Sequence, residues 1–239
     1  EWKHDSPNLQ NSVNEILRAR DGSFWIGTSD GLEIHKPDGT VKHIDVIKNT
    51  PLYIVTGLAQ DRSGNIWISS GSSFSGSFRW DGHQWNHFDV TTDPGGIRIH
   101  KIRIDKRGRP WFLGIGKFAP PPGDQKPGAF VLDGGHVTRW GEQEGLPSGC
   151  VYSFEEGPDS ALWFGTLGGL SRWKQGRWKH WTVNEGLHHA RVFTLATDAT
   201  HGAWFGDYTE RNGLGYIDEH DLVRYFSTAD GLIDDKIWD

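Results

Sequence analysis

The amino-acid sequence predicts an all-β chain of four-stranded antiparallel units, and three observations carry that prediction. A Trp-centred segment recurs at Trp25, Trp67, Trp111, Trp163 and Trp204, in steps of 42, 44, 52 and 41 residues. The composition joins 32 Gly to 13 Trp and 12 Phe, with no Met. Glycine supplies the positive φ of tight turns and aromatics fill half-buried pleated surfaces, so many short strands are expected. No stretch approaches the ~18 uninterrupted apolar residues that a membrane-crossing helix needs.

Each unit reads strand by strand. The first strands are SVNEILRA, YIVTGLAQ, HKIRIDK, CVYSFEEG and RVFTLATD, rich in β-branched and aromatic residues. The second strands carry the repeated Trp with the turn before it: DGSFWIGT, SGNIWISS, RGRPWFLG, DSALWFGT and THGAWFGD. Third strands follow as GLEIHK, GSFRWD, GAFVLD, GLSRWK and GLGYID. After a second short turn come the fourth strands, VKHIDV, QWNHFDV, HVTRWG, RWKHWT and LVRYFS. Gly- and Asp-containing connections of two to four residues are what antiparallel hairpins select.

A β-only repeat in the forties is the signature of a β-propeller, because a lone blade cannot bury both faces of its sheet. Five complete blades are expected, at about 11–47, 52–90, 97–141, 149–183 and 190–227, in a single domain over 1–239. Partial strands are expected at both ends. Residues 2–4, Trp-Lys-His, repeat 178–180, and DGLIDDKIWD at 230–239 repeats a blade connection with the strand after it. Because these two remnants lack the second and third strands between them, the chain is expected to be a piece of a larger propeller or to close in a non-standard way. Regular spacing makes Trp25, Trp67, Trp111, Trp163 and Trp204 structural residues packed between blades rather than a sugar-stacking surface.

A net charge of -6 disfavours nucleic acid, which needs a Lys- and Arg-rich face. Cys150, the single cysteine, has no intrachain partner and is expected as a small buried residue. The Asp-Gly pairs at 21–22, 30–31, 38–39, 81–82, 133–134 and 230–231 lack the spacing of a calcium loop and read as turns. No Ser-His-Asp order, Cys-His pair, phosphate-cradling Gly loop or HExxH is present, so neither metal nor cofactor is expected.

DGSFWIGTSDGLEIHKPDG and PDSALWFGTLGGLSRWKQG, with the connections EGLPSG, EGLHHA and DGLIDD, resemble the two-component regulator propeller repeat. The likeness runs along essentially the whole chain. Units two, three and five depart from it, replacing Gly-Thr by Ser69-Ser70, Leu113-Gly114 and Gly206-Asp207. The resemblance implies a bacterial sensor ectodomain, periplasmic or extracellular, associated with carbohydrate sensing. Streptogramin B lyases also use Trp-bearing repeats of this length, but their Trp-Phe-Thr-Glu does not occur here.

In such a meander the second-to-third-strand and inter-blade connections share one face. The former are tight in units one (TSDGL) and four (TLGGL), but long in two (SSGSSFSGS), three (GIGKFAPPPGDQKPG) and five (GDYTERNG). One-sided loop growth on a rigid scaffold is where binding residues gather. The candidates are Phe74, Lys117, Phe118, Asp124, Asp207, Tyr208, Glu210, Arg211 and Asn212, with His188, His189 and Arg191 at the adjoining connection. Aromatics beside bidentate polar groups suit a small polar molecule or oligosaccharide. Adjacent His188 and His189 on a strand would point to opposite faces, so they cannot share an ion; one oriented by Asp207 or Glu210 would serve as a base. The expected function is therefore a non-catalytic ligand-binding sensor module. A propeller lyase or glycosidase and a protein-interaction scaffold, with other blades or a partner chain, are the alternatives.

Overall fold

The computed structural model describes residues 12–92, 96–115, 126–207 and 209–237. The first sheet comprises β1 (Val13–Arg18), β2 (Phe24–Thr28), β3 (Gly31–His35) and β4 (Val41–Ile44). A ribbon of β5 (Val46–Ile47) and β6 (Thr50–Pro51) precedes the second sheet, β7 (Gly57–Gln60), β8 (Ile66–Ser69), β9 (Ser77–Trp80) and β10 (Trp85–Phe88). The third holds β11 (Arg98–Ile104), β12 (Pro110–Ile115), β13 (Ala129–Asp133) and β14 (His136–Trp140). The fourth holds β15 (Val151–Glu156), β16 (Leu162–Thr166), β17 (Gly169–Lys174) and β18 (Arg177–Trp181). The fifth is β19 (Thr194–Thr197), β20 (Ala203–Gly206), β21 (Leu214–Ile217) and β22 (Val223–Phe226).

All five are antiparallel meanders with strands in chain order. β1 touches β7, β7 touches β11, β11 touches β15 and β15 touches β19. First strands therefore form the inner edge, and the sheets follow one another in a propeller-like arrangement. Among the described residues no helix is long and apolar enough to cross a membrane.

In the first three sheets the Asp turn before the second strand ties down the Trp that follows it. Asp61 Oδ2 accepts the Trp67 indole N–H at 2.9 Å, and Asp105 Oδ2 accepts that of Trp111 at 3.0 Å. In the first sheet Ser23 Oγ relays the bond, accepting from Trp25 Nε1 at 3.0 Å while donating to Asp21 at 2.6 Å. A buried indole N–H needs an acceptor, and the turn carboxylate supplies one.

Each ring then packs toward the following sheet. Trp25 joins Leu58, Ile66 and Ile68, and Trp67 meets Phe112 edge-on at 5.2 Å. Trp111 stacks on Phe154 at 4.4 Å, and Trp163 joins Leu187, Val192 and Phe205. These four are at most 6% exposed. Trp204 departs from the rule: it is partly exposed and meets Tyr216 and Phe226 of its own sheet. Cys150, expected buried, is also partly exposed.

Two features follow from backbone geometry. The β5–β6 ribbon, which the strand pattern did not predict, turns on Lys48 and Asn49 with φ of 47° and 66°, the paired positive values of a two-residue hairpin. Gly169 sits at φ 134°, where a Cβ would lie 2.4 Å from the Trp181 carbonyl oxygen. Gly169→Ala is expected to destabilise the chain by roughly 1–3 kcal/mol, read as a lowered urea midpoint.

Candidate functional site

The inner strands carry a repeated irregularity at their first residues. Pairing register slips between Val13 and Glu15 in β1, Ile99 and Lys101 in β11, and Val151 and Ser153 in β15. The extra residues are Asn14, His100 and Tyr152. Thr56 and Phe193 stand at the same place, just before β7 and β19, donating their N–H to Ser69 and Gly206 carbonyls at 3.0 Å. A bulge adds local twist and re-aims the side chain it carries.

These five residues form a row across the inner strands. Asn14 Nδ2 donates to the Val55 carbonyl at 3.2 Å, and Thr56 Oγ1 donates to the His100 carbonyl at 2.6 Å. The His100 ring meets Tyr152 edge-on at 5.3 Å, and Tyr152 meets Phe193 at 4.4 Å. The row lies at the strand ends that also carry the long second-to-third-strand connections. Further along the inner strands, Glu15 of the first sheet approaches Arg103 at 3.4 Å and Lys101 at 3.9 Å, both from the third.

Burial, reinforced by the charges of Lys101 and Arg103, pushes the His100 pKa down to about 4. The imidazole is thus neutral at physiological pH, one nitrogen a donor and the other an acceptor. A neutral imidazole, an amide, a hydroxyl and two aromatic rings thus stand in one row across the inner strands. Every row residue follows an aliphatic one: Val13-Asn14, Val55-Thr56, Ile99-His100, Val151-Tyr152 and Val192-Phe193. A variable residue behind a repeated aliphatic was the available signal for this row, and loop length drew attention away from it.

The residues singled out from loop length divide into three groups. Lys117, Phe118, Asp124 and Tyr208 lie outside the described residues. Phe74, offered as a ligand contact, is only 7% exposed and packs edge-on against Phe78 at 5.1 Å, which makes it a core residue of its connection. The rest gather beside the fifth sheet. Arg191 reaches Glu210 at 3.0 Å and Asp207 at 3.6 Å, and Arg211 reaches Asp234 at 3.2 Å.

Asp207 is 5% exposed. Its Oδ1 accepts from the Thr209 backbone N–H and hydroxyl at 2.7 and 2.6 Å, while Oδ2 is buried without a hydrogen-bond donor. Asn212 Nδ2 is likewise buried and unbonded. With His189, Arg191 and Tyr225 these groups line a hollow with room for little more than one water molecule. The His188 ring stacks on Tyr225 at 3.6 Å and 6°, and its backbone N–H donates to the Tyr225 hydroxyl at 2.8 Å. Burial raises the Tyr225 pKa. The two carboxylates considered as partners for a basic histidine are therefore engaged by Arg191 and Thr209 instead. Among the described residues no group of three His, Cys, Asp or Glu side chains is placed to hold a metal ion.

With this geometry in hand, the fold is a propeller-like arrangement of four-stranded antiparallel sheets. Neither a protein-family model nor a curated protein matches the chain. Among solved structures it is similar to the extracellular domain of the hybrid two-component system BT3049 from B. thetaiotaomicron, at TM-score 0.76 and 18% identity over 95% of this chain. It is also similar to a catalytically inactive virginiamycin B lyase from Staphylococcus aureus with quinupristin, at TM-score 0.72 and 16% identity over 93% of the chain. A third likeness is to PorZ, a surface component of the type-IX secretion system of Porphyromonas gingivalis, at TM-score 0.64 and 14% identity over 95% of the chain. The chain spans 30% of the BT3049 domain, 72% of the lyase and 35% of PorZ. At these identities the likeness is one of fold.

Proposed function

We propose that the chain is a ligand-binding module of a bacterial two-component-type sensor, acting in the periplasm or outside the cell. It contributes five blades, at 11–47, 52–90, 97–141, 149–183 and 190–227, to a larger propeller. Its ligand is a small polar molecule or carbohydrate, held without chemical change. The observation that carries this reading is the row Asn14, Thr56, His100, Tyr152 and Phe193, which shares a face with the connections holding Asp207, Glu210, Arg211 and Asn212. Stacking rings beside uncharged donors and acceptors match the apolar faces and hydroxyls of a sugar. The structural likeness to a two-component ectodomain supports the same reading.

The test is a thermal-shift screen against oligosaccharides, small acids and divalent cations, followed by calorimetry on any hit. A ligand at 100 times its dissociation constant adds about 2.7 kcal/mol of stability, a clear rise in melting temperature. Tyr152→Ala is expected to weaken binding about tenfold, whereas Tyr152→Phe, which keeps the ring, restores most of it. Unchanged affinity in Tyr152→Ala would move the site off the row.

A second reading, a propeller lyase, is favoured by the place of the His100 imidazole in the row and the likeness to virginiamycin B lyase. His100 is unprotonated at working pH, but a pKa of about 4 makes it a weak base. Consumption of the bound compound, abolished by His100→Gln, would decide for it. Recovery of the compound unaltered decides for the sensor.

A further inference from the structure

The repeat breaks at the junction between the first and second sheets. The fourth strands of the third, fourth and fifth sheets lead into single-turn helices at Glu142–Glu144, Val183–Glu185 and Thr228–Asp230, whereas that of the first leads into the β5–β6 ribbon. The ribbon is held in place: Ile47 and Leu52 are at most 3% exposed, and the Leu52 N–H donates to the Asp45 carbonyl at 2.7 Å. Between it and the outer hairpin of the second sheet lies a cleft of about 490 Å³. That volume falls within the range of roughly 300–1,000 Å³ that small-molecule sites occupy.

Two tryptophans make one wall. Trp80 and Trp85 stand opposite each other on β9 and β10 with ring centroids 5.4 Å apart, and Trp85 meets the buried Trp25 edge-on at 6.1 Å. The fourth sheet carries the same pair, Trp173 and Trp178, but there Trp140 of the third sheet packs edge-on against both, at 5.2 and 5.7 Å. The Trp178 indole N–H is also engaged, donating to the Glu144 carbonyl at 2.8 Å. At the first junction the residue in the place of Trp140 is Ile44, paired with Leu32 as Trp140 is with Ala129. With a smaller side chain there and a ribbon instead of the helix, the Trp80 and Trp85 rings line open space. Neither indole N–H bonds a group among the described residues.

The facing wall is cationic. Lys42 and Lys48 line it beside His43, neither lysine with a carboxylate partner among the described residues, and Asp45 is the one carboxylate of the lining. His83 and Gln84 border the tryptophans. Indole faces suit the C–H faces of a pyranose, and indole N–H, imidazole and amide groups suit its hydroxyls. Unpaired lysines add a preference for negative charge. We propose that this cleft binds an acidic oligosaccharide, a short chain of uronic acid units. The inner-strand row is a separate place, since Thr56 precedes β7 at one edge of the second sheet and Trp85 lies on β10 at the other. The two readings stand or fall independently.

Isothermal titration calorimetry of the full chain with trigalacturonate at low salt tests this. Binding is expected, and the methyl-esterified trimer, with the same rings and hydroxyls but no charge, is expected to bind about tenfold more weakly. Lys42→Gln combined with Lys48→Asn is expected to bring the affinity for the acid down to that for the ester. Asn accepts the φ of 47° at position 48, so the turn is kept. Circular dichroism checks that the double variant is folded; if it is not, Lys42→Gln alone is measured, with a loss of about threefold expected. Raised ionic strength is expected to weaken binding of the acid and leave that of the ester unchanged. No heat of binding at millimolar trigalacturonate overturns the proposal. So does equal affinity for acid and ester, or an affinity that the lysine substitutions leave intact.

Discussion

Trp163→Ala is expected to lower the unfolding free energy by about 3–5 kcal/mol, the cost of emptying a buried aromatic site. Trp163 is 1% exposed, and its ring stacks on Trp181 at 5.4 Å with an interplanar angle of 18°. The Arg172 guanidinium lies 5.2 Å from its centroid. Its other contacts include Leu187, Val192 and Phe205, which come from beyond the fourth sheet. Truncation therefore opens a cavity shared by two sheets, which neither can collapse into alone. Urea unfolding monitored by circular dichroism measures the loss. The same change at Trp204, partly exposed and packed on Tyr216 and Phe226 of its own sheet, is expected to cost about 1–2 kcal/mol. Equal losses at the two positions would mean that Trp204 is covered in solution.

Acidification from pH 6.5 to pH 4 is the second large effect. His100 stays neutral in the fold down to about pH 4, against an ordinary imidazole pKa of 6.5. Between these values the unfolded chain binds a proton at His100 and the folded chain does not, so stability falls as the pH falls. The contribution is complete above pH 6.5 and is lost toward pH 4, up to about 3 kcal/mol in all. Lys101 and Arg103 on its own strand oppose protonation; Glu15 of the first sheet is paired to both and relieves little of that opposition. His100→Gln is expected to flatten stability against pH across this window. A separate loss begins below it, as carboxylates held low by hydrogen bonds, such as Asp21 and Asp105, take up protons. An unchanged slope in His100→Gln would place the imidazole in water.

How much of this was legible in advance varies with the range of the interaction. The hairpins were legible because turn chemistry is local: Asp and Gly at fixed offsets from a Trp set strand, turn and strand within about ten residues. The connections EGLPSG, EGLHHA and DGLIDD were legible as repeats but not as the single-turn helices Glu142–Glu144, Val183–Glu185 and Thr228–Asp230 that lead into them, each ended by a Gly with φ of 112°, 102° and 106°. Phe74 misled because a long connection reads as exposed, whereas this one folds its aromatic back onto Phe78. The carboxylates near His188 and His189 were close in sequence, but Arg191 is the side chain that reaches both.

The sequence by itself determined the all-β class, the order of strands in each meander, and the five Trp positions, four of which hold neighbouring sheets together. It did so because those properties depend on alternation, turn residues and a period, all of which are written along one chain. Tertiary structure alone decided which residues meet across sheets. Asn14, Thr56, His100, Tyr152 and Phe193 are separated by about forty residues each, and only the stacking of inner strands puts them in one row. It also decided that Trp204, identical in motif to Trp163, is left partly exposed. Burial belongs to the neighbour as much as to the residue, and no local pattern encodes whether the next sheet is there to cover it.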